Sequence, residues 1–163
     1  LAASPAPPTL LPTSFTEAEC EMMIDIAERD GWLVSSDSVD GEPAWELNFL
    51  EYPAGKMAAN RLRSAILNSS RNTSLSGYRI YIRKYAPQTR PSLATHLDKS
   101  KLSFSAALND DYAGGEFFYI DANDNEQTVT LKKGDAVVFG GDLLHGVKPM
   151  QEGVRYSLVM HCK

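Results

Sequence analysis

Between Thr16 and Arg29 the apolar residues Met22, Met23, Ile26 and Ala27 recur at the spacing of one helix face. Thr16-Glu17-Ala18-Glu19 ahead of them is a capping box, and Gly31 supplies a stop, so the pattern predicts a helix over 16–29. Lys56 to Asn68 repeats the helical spacing, with Met57, Leu62, Ala65 and Ile66 on the apolar face. Residues 32–52 alternate loosely around Gly41 and Pro43 and predict two strands joined by a turn. From Tyr78 onward the period changes to two. Strands are expected near 78–86, 93–98, 101–108, 115–120, 127–131, 136–139, 144–149 and 154–161, with turns at Asn123-Asp124-Asn125, Lys133-Gly134-Asp135 and Gln151-Glu152-Gly153. The expected fold is mainly β with N-terminal helices (α+β): a cupin-like jelly roll of two sheets, braced on one side by the helices.

A chain of 163 residues is long enough to bury a core as one domain. The opening L-A-A-S-P-A-P-P-T-L-L-P reads as a proline-rich linker over 1–13, ahead of a single domain over 14–163. Cys20 and Cys162 lack zinc-ligand spacing and cannot make a disulfide framework; they read as ordinary thiols or as one bridge between the termini. No run of eighteen apolar residues occurs, so no membrane-spanning helix is expected. The compartment stays open between cytoplasm and secretory lumen, the latter permitted by the triplets Asn68-Ser69-Ser70 and Asn72-Thr73-Ser74. The net charge of −5 conceals a segment, 56–101, with ten Lys/Arg and one acidic residue, a local +9. Such a basic segment points to an anionic ligand or an acidic substrate.

The candidate chemistry lies between His96 and Arg155. Residues two apart on a strand face the same side, so His96 and Asp98 are expected to point together, with Leu97 turned away. His145, after Gly140-Gly141-Asp142, begins a later strand and can be brought opposite the pair. Two imidazoles and one carboxylate without thiolates suit Fe(II) or a similar ion, and three protein ligands leave positions open for chemistry. Arg155 lies ten residues beyond the second histidine. His161 has no partner pattern and reads as a surface or terminal residue.

These residues, with L-N-D-D-Y-A-G-G-E at 108–116, K-G-D-A-V-V-F at 133–139 and R-Y-S-L at 155–158, resemble the 2-oxoglutarate and Fe(II)-dependent dioxygenases, specifically the prolyl 4-hydroxylase-like branch. The resemblance covers about residues 78–161. It implies a double-stranded β-helix that carries iron on His96, Asp98 and His145. It further implies that Arg155 binds the far carboxylate of 2-oxoglutarate, with Ser157 and Tyr85 in the same pocket. The implied reaction consumes O2 and 2-oxoglutarate, with ascorbate in support, and hydroxylates a prolyl residue in a peptide or protein. Collagen-type relatives carry lysine at the Arg155 position, and the oxygen-sensing hydroxylases carry tyrosine at Ala107, so lysyl and small-molecule hydroxylases remain alternatives. A nucleic-acid demethylase would place a second arginine where His161 stands, which argues against nucleic acid as partner. A cupin-like binding module would be expected to lack a ligand. The basic segment, with strand edges near Tyr81 and Tyr85, is expected to form a groove for an acidic peptide.

Overall fold

The computed structural model of the chain describes residues 5–163. The elements follow in the order β1 (Thr9–Leu11), α1 (Glu17–Asp30), β2 (Leu33–Ser36), β3 (Pro43–Asn48), α2 (Pro53–Ala65), β4 (Tyr78–Tyr85), β5 (Leu93–His96) and β6 (Leu102–Ala107). Then come β7 (Ala113–Gly114), β8 (Phe117–Ile120), β9 (Glu126–Val129), β10 (Ala136–Gly140), β11 (His145–Val147), β12 (Met150–Glu152) and β13 (Arg155–Cys162). Seven strands form one sheet in the order β1-β10-β6-β13-β4-β3-β2, and four form a second in the order β5-β11-β8-β9. After β4 the chain passes back and forth between the two sheets, which makes the jelly roll a double-stranded β-helix.

Alternation along β4 and β13 divides the large sheet into two faces. Ile80, Ile82, Leu158, Met160 and Cys162 turn to the helices, where they join Cys20, Met23 and Ala27 of α1 and Ala58, Ala59 and Leu62 of α2 in the principal core. Each large side chain wholly removed from water there contributes roughly 1.5–3 kcal/mol. The odd-numbered residues of the same strands, from Arg79 to Tyr85 and from Arg155 to His161, turn the other way and line a cavity. A smaller apolar cluster, including Phe117, Val137, Phe139 and Leu143, closes the space between the sheets beside it. Both cysteines are free and buried, and burial pushes each thiol up to about 11.

Thr16 caps α1 as its pattern requires: its side chain accepts from the Glu19 N–H, and Glu19 accepts from the Thr16 N–H. The second helix starts at Pro53 rather than Lys56, because a proline in the first turn needs no hydrogen-bond partner, and it ends at Ala65. Residues 1–4 of the segment read as a linker lie outside the described residues. Thr9–Leu11 of that segment, however, pairs with β10 as an edge strand, since three non-proline residues between Pro8 and Pro12 can supply main-chain N–H groups. Tyr81 and Tyr85 offer no strand edge, because β4 is paired on one side with β13 and on the other with β3. The free edge of the large sheet bordering the cavity belongs to β2, whose Ser35 and Ser36 lie on the rim.

The turn between β2 and β3 is tied down by buried charge. Asp37 accepts from Arg90 and forms an ion pair with Arg83, both at 3.1 Å; Arg90 also reaches Asp40 at 2.9 Å, and Arg83 reaches Glu46. Arg90 is only 1% exposed, so truncating it takes from the buried Asp37 one of its two guanidinium partners in a place where water cannot replace it. Arg90→Ala is expected to lower unfolding stability by about 3 kcal/mol, read as a shift of the urea midpoint at unchanged slope. A midpoint equal to the parent's would show that the network contributes nothing.

Candidate metal centre and its cavity

His96 closes β5 and His145 opens β11, and the register sets the two directly opposite each other. Their ring centroids are 4.3 Å apart. Asp98 lies beyond the end of β5, contrary to the expected strand over 93–98, and its place is fixed differently. Its N–H donates to the carbonyl of Gly141 at 3.0 Å, which draws the loop after β5 onto the loop before β11. That approach requires a glycine, because a Cβ at Gly141 would stand 2.0 Å from the Ser100 carbonyl oxygen. The outcome is the expected convergence: ligand atoms of His96, Asp98 and His145 all lie within 4.8 Å of one another.

The hydrogen bonds around the cluster settle which atoms face inward. His96 Nδ1 donates to the Ala94 carbonyl at 2.7 Å, and His145 Nδ1 donates to the Leu143 carbonyl at 2.8 Å. A carbonyl can only accept, so both rings carry a proton on Nδ1 and turn Nε2 to the centre, where its lone pair is the one available to a metal. These Nε2 atoms lie 3.2 Å and 3.4 Å from Asp98 Oδ1. Two imidazole nitrogens and a carboxylate oxygen in that arrangement call for positive charge between them, a metal ion or, without one, a proton, and the N,N,O set without sulfur fits a divalent ion such as Fe(II). Burial works against charge on Asp98, but its contacts with His145, His96 and Ser103 outweigh it and hold the carboxyl well below the usual carboxylate range. Burial also disfavours charge on His96, yet the Asp98 carboxylate and the Ala94 carbonyl raise that ring overall. His145 is fixed further by Phe117, stacked at 5.7 Å, and Phe139, tilted at 4.5 Å.

The same cavity, of about 790 Å³, is lined by Arg155, Ser157 and Tyr85. Arg155 opens β13 opposite Tyr85, with its guanidinium 5.1 Å from the centre of the tyrosine ring. It is 3% exposed, and among the described residues no carboxylate pairs with it. Ser157, two residues on and facing the same way, keeps its Oγ buried without a hydrogen-bond partner. A buried cation beside an orphaned hydroxyl is a cradle for a carboxylate. Asn109, which sequence reasoning did not single out, fastens this end of β13: its Nδ2 donates to the Val154 carbonyl at 2.7 Å and its Oδ1 accepts from the Tyr156 N–H at 2.8 Å, bracketing Arg155. The Leu-Asn pair at 108–109 carried that signal as part of the motif, without its reason.

Two expectations change. His161 is neither a surface nor a terminal residue: it lines the cavity, with Nδ1 3.5 Å from Asp98 Oδ2. Burial is the main reason its pKa lies below the ordinary value, with Arg79 and Arg83 adding to this against Asp98. The basic segment, for its part, has half of its ten cations paired with carboxylates. Lys56, Arg61, Arg83, Lys84 and Arg90 pair with Glu51, Glu19, Glu46, Glu28 and Asp37 respectively. At the cavity rim Arg79, Lys99 and Lys163 have no carboxylate partner among the described residues.

Comparison with known proteins bears on the same stretch. The sequence pattern described as the 2OG-Fe(II) oxygenase superfamily matches residues 81–162, half of the chain. A 2-oxoglutarate and iron-dependent oxygenase domain-containing protein 2 from Xenopus tropicalis is 26% identical over 92 residues, covering 53% of this chain and 26% of that protein. The chain thus spans about a quarter of the length of the curated relatives it matches. Among solved structures, a prolyl-4-hydroxylase from Pseudomonas putida superposes with a TM-score of 0.75 at 18% identity, over 96% of this chain and 91% of its own. A non-haem α-ketoglutarate-dependent carbocyclase of nogalamycin biosynthesis reaches 0.77 at 13% identity, over 95% of this chain and 78% of its own. At such identities the likeness establishes the fold.

Proposed function

Because the chain belongs to the 2OG-Fe(II) oxygenase superfamily, we propose that it is a 2-oxoglutarate-dependent hydroxylase of a prolyl residue in a peptide or protein. His96, Asp98 and His145 would hold the iron, and Arg155, Ser157 and Tyr85 would hold the far carboxylate of the cosubstrate. The observation that carries this reading is the pairing, inside one cavity, of the three converging donors with a buried arginine that has no carboxylate partner among the described residues. Bound at the three donors, iron supplies the redox chemistry by which O2 and 2-oxoglutarate become succinate and CO2 while one C–H of the substrate becomes C–OH.

The chain's own residues bind, orient and exclude. Arg155 presents a planar fork that can give two parallel hydrogen bonds to a carboxylate, and Ser157 Oγ is placed to give a third. Tyr85 packs beneath the guanidinium and keeps water from its inner side. Phe117, Phe139, Leu93 and Val147 make the wall next to the histidines apolar, so a substrate carbon can approach without water competing for the same space. No side chain is required as nucleophile or general base.

A peptide substrate is supported by the dimensions and charge of the cavity. Its volume leaves room beyond a five-carbon diacid, and its rim is formed by the turn after β2, with Arg79, Lys99 and Lys163 also on the lining. Those cations favour acidic residues near the target proline. The test is mass spectrometry of proline peptides incubated with Fe(II), 2-oxoglutarate and ascorbate. A one-oxygen mass gain is expected, larger for peptides with acidic flanks and smaller as salt screens the rim. Should free proline or lysine react as well as any peptide, without salt dependence, a small-molecule hydroxylase is the better reading.

A further inference from the structure

We infer that Tyr81, His161 and Ser103 form a directed hydrogen-bond chain that sets the orientation of the Asp98 carboxylate, making all three positioning residues of the metal site; this rests on the reading of His96, Asp98 and His145 as its ligands. Asp98 needs such a device. It lies outside any strand, and its main-chain bond to Gly141 places the backbone without fixing the rotation of the carboxylate.

The direction of every bond follows from what each atom can do. Ser103 Oγ lies 2.6 Å from Asp98 Oδ2, and a carboxylate oxygen can only accept, so the serine hydroxyl donates. Its single hydrogen is then engaged. The contacts of Ser103 Oγ with His161 Nδ1 at 3.0 Å and Ser100 Oγ at 2.6 Å must therefore be ones in which Ser103 accepts. His161 thus carries its proton on Nδ1 and leaves Nε2 bare, where Tyr81 Oη, 2.9 Å away, donates. Neighbouring strands hold the chain in register, for Ser103 of β6 stands directly opposite His161 of β13, and Tyr81 of β4 lies diagonal to it. Ser103 is 1% exposed and Tyr81 7%, so both ends of the chain are buried, while the His161 side chain between them is 23% exposed. With Oδ2 engaged by Ser103, Oδ1 is the oxygen turned to both Nε2 atoms.

Co(II) titration of the full chain under anaerobic conditions tests this, because affinity and the visible spectrum of bound Co(II) report the ligand set without turnover. Ser103→Ala is expected to weaken Co(II) binding by about tenfold or more and to alter the spectrum, while Ser103→Thr, which keeps the hydroxyl, restores both. Tyr81→Phe removes only the far end and should produce a smaller loss of the same kind. Combined with Ser103→Ala it should add nothing, since the chain is already cut; two merely structural defects would add. Should Ser103→Ala fail to fold, Tyr81→Phe is read alone, and a parent-like affinity and spectrum in it overturn the inference. Parent-like binding by Ser103→Ala, or additive losses in the double variant, also overturns it. If His145→Gln binds Co(II) as the parent does, the metal-site reading itself fails, an outcome distinct from failure of the positioning chain alone.

Discussion

Replacing His145 with glutamine is expected to reduce 2-oxoglutarate decarboxylation to background while the chain stays folded. The ring contributes one of three inward-facing donor atoms, and its Nε2 lies 3.4 Å from Asp98 Oδ1. Glutamine fills much of the same space between Phe117 and Phe139 but offers no imidazole nitrogen. The cost to the fold should be small, about 1–2 kcal/mol, because most of the packing volume between the two phenylalanines is kept. His96→Gln should behave alike, its ring being opposite in the register and turned by the same kind of Nδ1–carbonyl bond. Succinate formation and a thermal melt, measured on both variants, separate loss of the site from loss of the fold. Undiminished succinate formation in both would remove these histidines from the chemistry.

Much of this site was legible because it obeys strand periodicity. The odd residues of β13 carry Arg155 and Ser157 into the cavity while Leu158 and Met160 enter the core, an alternation visible in the letters themselves. The capping box at Thr16 was equally legible, since each of its bonds spans three residues of sequence. What depended on distant partners was not. Arg83 and Arg90 entered the sequence reading only as part of the basic segment, and only the fold brings Asp37, fifty-three residues from Arg90, against both. His161 stood beside no motif; its partners Ser103 and Tyr81 are contributed by two other strands. The basic segment was counted along the chain, whereas ion pairing is decided in space, so its surplus of positive charge did not survive folding as one face. Asp98 reached its expected place by an unexpected route, through a loop contact at Gly141 in place of the pleat.

Arg155→Gln is expected to raise the 2-oxoglutarate requirement far more than it alters metal binding. In the ligand-free chain Arg155 is a buried cation, 3% exposed, stacked on Tyr85 and without a carboxylate among the described residues. That is an unfavourable state on its own, and a dicarboxylate relieves it. Removing one partner of such a desolvated pair costs about 2–5 kcal/mol, which corresponds to about 30-fold or more in affinity. The sign of the stability change distinguishes this role from a structural one. A structural arginine destabilises the fold when lost, whereas here the neutral amide removes an uncompensated charge, so the variant should melt at or above the parent temperature without ligand. Added 2-oxoglutarate at a hundred times its dissociation constant should stabilise the parent by about 2.7 kcal/mol and the variant by much less at the same concentration. Arg155→Lys should fall between the two, since it keeps the charge but loses the two-point fork. An unchanged 2-oxoglutarate requirement in Arg155→Gln, or a large loss of stability without ligand, would place Arg155 among the residues that hold the barrel together and leave the far carboxylate to be bound elsewhere.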